Sequence, residues 1–328
     1  IRLALEQGCC GFSSGLIYRP GRYSDTEEVV ELAKVAGEFD ALYTTHMRNE
    51  GDKLLDAVDE ALLIGKESGS HLHISHHKAA GKANWGKVSQ SLMKVEEALV
   101  NGQAVTLDVY PYTAGSGRMI EYFNLDNPNE ELARTIRIAS CPANRLYEGR
   151  MLVDIAEAEG KTMPEMVRSV LLAPEGDKTL CIQFVISEED VETNIKQRDM
   201  MIGSDGIPDL KGRPHPRLFG TFPRVLGHYV RERKLIGLAE AIRRMTSLPA
   251  RIFGMKERGR VAEGYHADLV LFDSGLIADQ ATYDQPMLPP VGIKTVVVNG
   301  EIALSDGEAT GAGSGRMLRF RNDSFSPG

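Results

Sequence analysis

An α/β fold on a parallel sheet, of the TIM-type (β/α) barrel kind, is what this chain of 328 residues predicts. Three observations carry the prediction. Short apolar runs alternate with amphipathic stretches of helical period through the first part of the chain. Three of the runs, Ala41-Leu-Tyr-Thr-Thr-His46, Leu72-His-Ile-Ser-His76 and Met200-Met-Ile-Gly-Ser-Asp205, end on a side chain able to bind a metal. A long helical stretch separates the first two, so His46 and His76 belong at the same ends of neighbouring parallel strands, where a β/α barrel keeps its chemistry.

Each element follows from local pattern. Residues 9–13 read as a short strand, and 26–38 as a helix with Val29, Val30, Leu32, Ala33, Val35 and Ala36 on its apolar face. The strand 41–46 leads to a helix over 53–68, then to the strand 72–76. A helix over 88–100 closes at Asn101-Gly102, and 104–110 is the next strand. The rhythm then breaks. Residues 113–180 are polar and helical with no clear barrel strand, which predicts a lid-like insertion at the strand ends. Regular order returns with a strand at 181–186, a helix opened by Ser187-Glu-Glu-Asp, the strand ending at Asp205, and a helix over 238–246. The barrel portion is thus assigned to 1–258, short β segments of a small β-sandwich to 259–304, and a flexible Gly/Ser-rich tail to 305–328. Gly311-Ala-Gly-Ser-Gly315 reads as part of that tail, because no helix comes after it to cradle a phosphate.

Composition excludes several classes. A net charge of −8 argues against nonspecific nucleic-acid binding, which needs a basic surface. No apolar run approaches the roughly 18–20 residues that cross a bilayer, so no membrane role is expected. Cys9, Cys10, Cys141 and Cys181 show neither CxxC spacing nor a disulfide framework, which fits reduced thiols in the cytoplasm.

Two imidazoles and a carboxylate at one mouth suit Zn²⁺, and the carboxylate of Asp205 can also carry a proton. A single histidine at a strand end is more often structural, but three matching strand ends are harder to obtain by chance. Strand alternation puts 72, 74 and 76 on one face, read as the barrel interior, with His71 and His73 on the other face and His73 against a helix. The same counting places His46 with Leu42 and Thr44. His77 points away from His76 and is read as supporting or structural.

Thr45-His-Met-Arg-Asn-Glu50, Ile74-Ser-His-His-Lys78, Asp108-Val-Tyr-Pro-Tyr-Thr-Ala-Gly-Ser116, Ile202-Gly-Ser-Asp-Gly206 and His215-Pro-Arg-Leu-Phe-Gly-Thr-Phe-Pro-Arg224 resemble the D-aminoacylase (N-acyl-D-amino-acid deacylase) branch of the amidohydrolase superfamily. Gly264-Tyr-His-Ala-Asp-Leu-Val-Leu-Phe-Asp273 and Val297-Val-Asn-Gly300 resemble its closing sandwich strands. The resemblance implies His46 and His76 as zinc ligands, Asp205 as the catalytic carboxylate and a further metal residue, and Lys78, Tyr110, Ser116 and Arg217 as residues that hold an N-acyl amino acid. Arginine is the natural partner for such a substrate's carboxylate, and a hydroxyl can donate to a tetrahedral oxyanion.

The family's opening sandwich strands and the strands supplying an H-x-H pair and a cysteine ligand have no counterpart here; Cys9 and Cys10 do not match that ligand. The chain is therefore expected to be truncated at its N-terminus, to hold about five barrel strands, and to need the missing segment or another chain to complete the barrel. Weak zinc binding and little or no deacylase activity by the chain alone are expected as well. The implied reaction is hydrolysis of an N-acyl-D-amino acid. Two alternatives stay open: amidohydrolase chemistry on a cyclic amide, of the hydantoinase or dihydroorotase kind, and a non-catalytic fragment.

Overall fold

The computed structural model describes residues 1–320; residues 321–328, the end of the expected flexible tail, lie outside the described residues. Four strands open the α/β part: β1 (Gly11–Gly15), β2 (Leu42–His46), β3 (His71–Ile74) and β4 (Val105–Val109). They are joined by helices Thr26–Glu38, Leu54–Ser68 and Lys87–Val100. The first helix begins where Asp25 accepts the Glu28 N–H, and the second ends at Gly69, whose φ of 67° is the left-handed stop a glycine supplies. Each helix buries one stripe, such as Leu54, Ala57, Val58, Ala61 and Ile64, against the sheet.

Next in chain order come β5 (Gly115–Arg118), β6 (Ile136–Ser140), β7 (Leu180–Gln183) and the short β8 (Met201–Ile202). All pairings within the sheet β1-β2-β3-β4-β8 are parallel. The sheet is open: among the described residues β1 and β8 each pair on one side.

Register corrects one reading of the sequence. Thr44 pairs with His73 and His73 with Thr106, so 42, 44, 46, 71, 73, 106 and 108 share a face. Leu72 lies on the opposite face, against Gly65 of the Leu54–Ser68 helix. The expected interior row of 72, 74 and 76 is therefore reversed for its first two members. They pack under the helices, and His73 faces the side where Asp108 stands. His76 reaches that side by a different route. It lies beyond the end of β3 with φ 41°, and the left-handed turn re-aims a side chain that strand alternation would have sent outward.

The insertion holds more sheet than expected. β5, β7 and β6 form an antiparallel sheet in that order. Helices Leu152–Ala158 and Met163–Leu171 cover it, sharing a core of Ile136, Ile138, Leu152, Met166, Val167 and Cys181. The stretch 181–186, read as a return to the barrel, belongs to this sheet through β7.

Beyond β8, helix Arg217–Arg224 runs into a π-helical turn, Val225–Glu232, neither of which the sequence pattern revealed. Leu238–Met245 and Ser247–Ile252 come next. The expected β-sandwich is one four-stranded antiparallel sheet of β9 (Leu269–Phe272), β10 (Ile293–Val298), β11 (Glu301–Ser305) and β12 (Glu308–Ala309). The described part of the tail is tethered, with the Phe320 N–H donating to the Gly8 carbonyl at 2.9 Å and Asn299 Nδ2 to the Ser314 carbonyl at 2.6 Å. Among the described residues no helix is long and apolar enough to cross a membrane.

The helix layer has little slack. A Cβ on Gly37 would stand 2.2 Å from the Ser68 carbonyl oxygen, a backbone atom with nowhere to retreat. Gly37→Ala is expected to destabilise the fold by about 1–3 kcal/mol, read as a lower urea midpoint; an unchanged midpoint would show that these two helix ends separate freely.

Candidate metal centre and substrate-binding site

At the C-terminal end of β2, His46 meets His76 edge to face, with ring centroids 4.3 Å apart. The Tyr18 hydroxyl lies 3.2 Å from His46 Nδ1, while Nε2 is buried without a hydrogen-bond partner. Burial lowers the His46 pKa to about 3, against the opposing pull of Glu50, so the ring is neutral and its lone pair free for a metal.

Glu50 lies in the first of the family-like motifs, where the sequence pattern gave it no role. Together His46, Glu50 and His76 each bring a ligand-capable atom within 4.8 Å of the others. Glu50 Oε1 lies 3.0 Å from His76 Nδ1, and Oε2 lies 3.5 Å from His46 Nε2. Burial alone would raise the Glu50 pKa. Lys78 and the two histidines outweigh it and hold the carboxyl well below its ordinary value. The signal was the His46-x-x-x-Glu50 spacing: a histidine at a strand end and a carboxylate on the loop directly after it.

Asp108 holds the turn that aims His76. One oxygen accepts the His76 backbone N–H at 2.9 Å, the other pairs with His73 Nε2 at 2.7 Å. Burial would raise its pKa, but His73 and His76 together lower it. His73 also meets the Phe253 ring, at 5.7 Å, past the end of helix Ser247–Ile252. His77 is structural in its contacts, bonded at 2.7 Å to both Asn194 Oδ1 and Ser91 Oγ.

Lys78 is buried. Its ammonium donates to Glu50 Oε1 at 2.5 Å and to the His76 carbonyl at 2.8 Å, and lies 2.8 Å from His76 Nδ1. Its hydrogen bonds are therefore all with the cluster.

Arg217 begins its helix 1% exposed, and His215 fixes where it begins. His215 Nε2–H donates to the Ala114 carbonyl and Nδ1 accepts the Arg217 N–H, each at 3.0 Å. The guanidinium stacks on the Tyr110 ring at 4.6 Å and gives Nη2 to Asp205 Oδ2 at 2.9 Å and to the Ser116 carbonyl at 3.4 Å. Arg217 Nε and Nη1, and the Tyr110 hydroxyl, are buried without partners. Burial pushes the Tyr110 phenol far up, so it stays protonated and able to donate. Ser116 borders a small surface cleft shared with Ser140, Asp209, Lys211 and His215.

Asp205 sits at φ 48° just past β8 with its side chain 38% exposed. Its carboxylate lies outside the three-residue cluster and is paired with Arg217 instead. The structure thus brings His46 and His76 together with Glu50 and Lys78, and it groups Asp205 with Arg217, Tyr110 and the Ser116 backbone.

A parallel α/β sheet with a buried imidazole pair at its strand ends is the arrangement of metal-dependent hydrolases. The chain belongs to the amidohydrolase family, whose model matches residues 39–304. It is 41% identical over 297 residues to an N-acyl-D-glutamate deacylase of Alcaligenes xylosoxydans xylosoxydans, covering 90% of this chain and 58% of that protein. A crystal structure of D-aminoacylase superposes with a TM-score of 0.89 at 40% identity, over 98% of this chain and 64% of that one. An N-acyl-D-glutamate deacylase from Bordetella bronchiseptica, complexed with zinc and a phosphonate mimic of the tetrahedral intermediate, superposes with a TM-score of 0.86 at 40% identity, over 94% and 63%. The chain thus spans about three fifths of the length of these relatives.

Asn194→Ala strands the buried His77 ring and is expected to cost about 1–3 kcal/mol. Tyr110→Phe removes a hydroxyl with no partner and should not lower stability at all. Thermal melts compare the two, and equal losses would mean that hydrogen bonding does not set them apart.

Acid sensitivity comes from the same His77 ring. Burial lowers its pKa to about 4, opposed by its bond to Asn194, whereas the unfolded ring titrates near 6.5. As pH falls, the unfolded chain takes up the proton first. The stability this ring contributes is full above pH ~6.5 and is lost as pH falls toward ~4. Urea midpoints should decline across that window, and by less in His77→Asn; parallel declines would move the effect to other groups.

Proposed function

We propose that this chain carries the metal-binding and substrate-gripping part of a zinc-dependent hydrolase that cleaves the amide of an N-acyl-D-amino acid, releasing the D-amino acid and a carboxylic acid. The observation that carries the reading is Arg217, a buried guanidinium with two unpartnered nitrogens beside an unpartnered Tyr110 hydroxyl. A buried donor left unsatisfied costs about 1–3 kcal/mol, and a substrate carboxylate would remove that cost while gaining charge-assisted bonds. The names of the relatives supply the D-amino acid and the acyl group.

The donor set suits zinc. His46 Nε2 is a buried, neutral imidazole nitrogen without a partner, and His76 stands against it. The two histidines would hold the ion, which when bound polarises water or the acyl oxygen. The remaining work falls to side chains. Asp205, open to solvent on one side and held by Arg217 on the other, takes the proton from the attacking water and returns it to the leaving amine. The Tyr110 hydroxyl, with Ser116 beside it, donates to the oxygen that becomes negative. The resemblance pairs Lys78 with Arg217 on the substrate, but with its ammonium spent on Glu50 and His76, the grip on a carboxylate rests first on Arg217.

A hydantoin-type cyclic amide brings no carboxylate and leaves those Arg217 nitrogens unanswered, so the linear substrate is favoured over it. In the intact enzyme, zinc-loaded protein should release free amine from N-acetyl-D-amino acids and little from the L-forms or from hydantoins. Asp205→Asn is expected to lower kcat by about 10²–10⁴-fold with zinc retained, and Arg217→Met to raise KM by at least about tenfold. A kcat near the native value in Asp205→Asn removes that residue from the reaction. Undiminished hydrolysis of a cyclic amide by Arg217→Met would favour the ring-opening chemistry instead, and a zinc-free, inactive native protein the non-catalytic alternative.

A further inference from the structure

We propose that Glu50 is a third protein ligand of the metal held by His46 and His76, and that the Lys78 ammonium occupies the cation's place until the metal displaces it. The inference rests on the reading that the two histidines bind zinc, and adds to it a ligand that the resemblance did not supply.

Four lone-pair donors converge on one small volume. Around the Lys78 ammonium stand Glu50 Oε1 at 2.5 Å, His76 Nδ1 at 2.8 Å and the His76 carbonyl at 2.8 Å. The second Glu50 oxygen points toward His46, 3.5 Å from the Nε2 that has no hydrogen-bond partner. An ammonium can answer the first three, because it is itself a compact cation that donates in several directions. It leaves His46 Nε2 unanswered. A divalent ion among His46, Glu50 and His76 would use that nitrogen as well, and two imidazoles with one carboxylate form a recognised zinc set.

The loop is built to hold Glu50 in place. The Glu50 carbonyl accepts the Ala80 N–H at 2.7 Å, and Asn49 Oδ1 accepts the N–H groups of Gly51 and Lys53 at 2.8 and 3.1 Å. The carboxylate therefore arrives with little freedom left to lose. Lys78 and a divalent ion cannot share the position, because two unscreened positive charges would then face each other in a buried site. Metal entry thus drives the ammonium off Glu50 and frees it toward the aromatic face of Tyr110, whose ring centroid is 5.5 Å from Lys78 Nζ.

Zinc affinity, measured by competition with a chromophoric chelator and by titration calorimetry, tests this apart from turnover. Lys78→Met removes the resident cation and should bind zinc at least about tenfold more tightly than the native chain. Glu50→Gln alone would leave Lys78 buried and unpaired and is open to misfolding. The decisive comparison is therefore Lys78→Met, purified with zinc present so that the metal answers the Glu50 charge, against Glu50→Gln/Lys78→Met, which strands no charge. The double variant should bind zinc on the order of tenfold or more weakly than Lys78→Met, and its cobalt absorption spectrum should lose intensity as a ligand is lost. His46→Ala and His76→Ala separate the two claims. If they abolish zinc binding while Lys78→Met and the double variant bind alike, this inference falls and the proposed reaction stands. If they leave zinc binding intact, both fall.

Discussion

Glu50 is a carboxylate sealed from water, and the arrangement of the site comes from the need to answer its charge. A lone buried carboxylate would cost several kcal/mol, and no single neighbour satisfies it. Lys78 answers one of its oxygens, while ring nitrogens of His76 and His46 stand 3.0 and 3.5 Å from the carboxylate, and each of the three comes from a different point on the strand ends of β2 and β3. The loop after β2 and the turn after β3 are thereby locked to each other. Asp108 locks the same turn to β4 through the His76 backbone. Three strand ends are thus joined by two buried acids, which gives the mouth of the sheet a rigidity that short strands of four or five residues would not provide alone.

Much of the framework was legible in the sequence. Amphipathic period marked the helices Thr26–Glu38, Leu54–Ser68 and Lys87–Val100 nearly to the residue, because each has one apolar stripe and a plain stop. The strand end at His46 could be read from the polar residues after it, whereas β8 stops at Ile202 and leaves Asp205 in the loop beyond. The face of β3 could not. Leu72 and Ile74 are apolar and His71 and His73 polar, so the pattern suggested an apolar interior, but the inner face of this sheet carries the polar network and the helices take the leucine and isoleucine. His76 then departs from alternation altogether, since a non-glycine residue with φ 41° is set by tertiary bonds that no local pattern announces.

The insertion hid its sheet for a related reason. Gly115-Ser-Gly-Arg118 has no apolar alternation and is a strand because β7 supplies its partners. The stretch at 181–186 is apolar on its own terms, so it looks like a barrel strand, yet its pairing is antiparallel to β5 and β6. Arg217 illustrates the limit most clearly. Its neighbours in sequence are prolines and apolar residues, and its place is fixed by a histidine tautomer and by the carbonyls of Ala114 and Ser116, about a hundred residues earlier in the chain.

The histidine pair hangs from the parallel sheet alone, whereas the guanidinium is held by both sheets. His46 and His76 follow the parallel strands, whereas Arg217 meets Asp205 and Tyr110 beyond those strands and also reaches the antiparallel unit, directly at Ser116 and through His215 at Ala114. That unit is tied to the parallel sheet's loops through the Val185 carbonyl, which accepts from Gly81 and Trp85, and through the Ile186–Thr113 backbone bond. Under the proposed function, the way the two sheets seat against each other would set how far an anion on Arg217 stands from the histidines. A change in the seating of Val185 would then alter that span, and with it the length of molecule the proposed site could take.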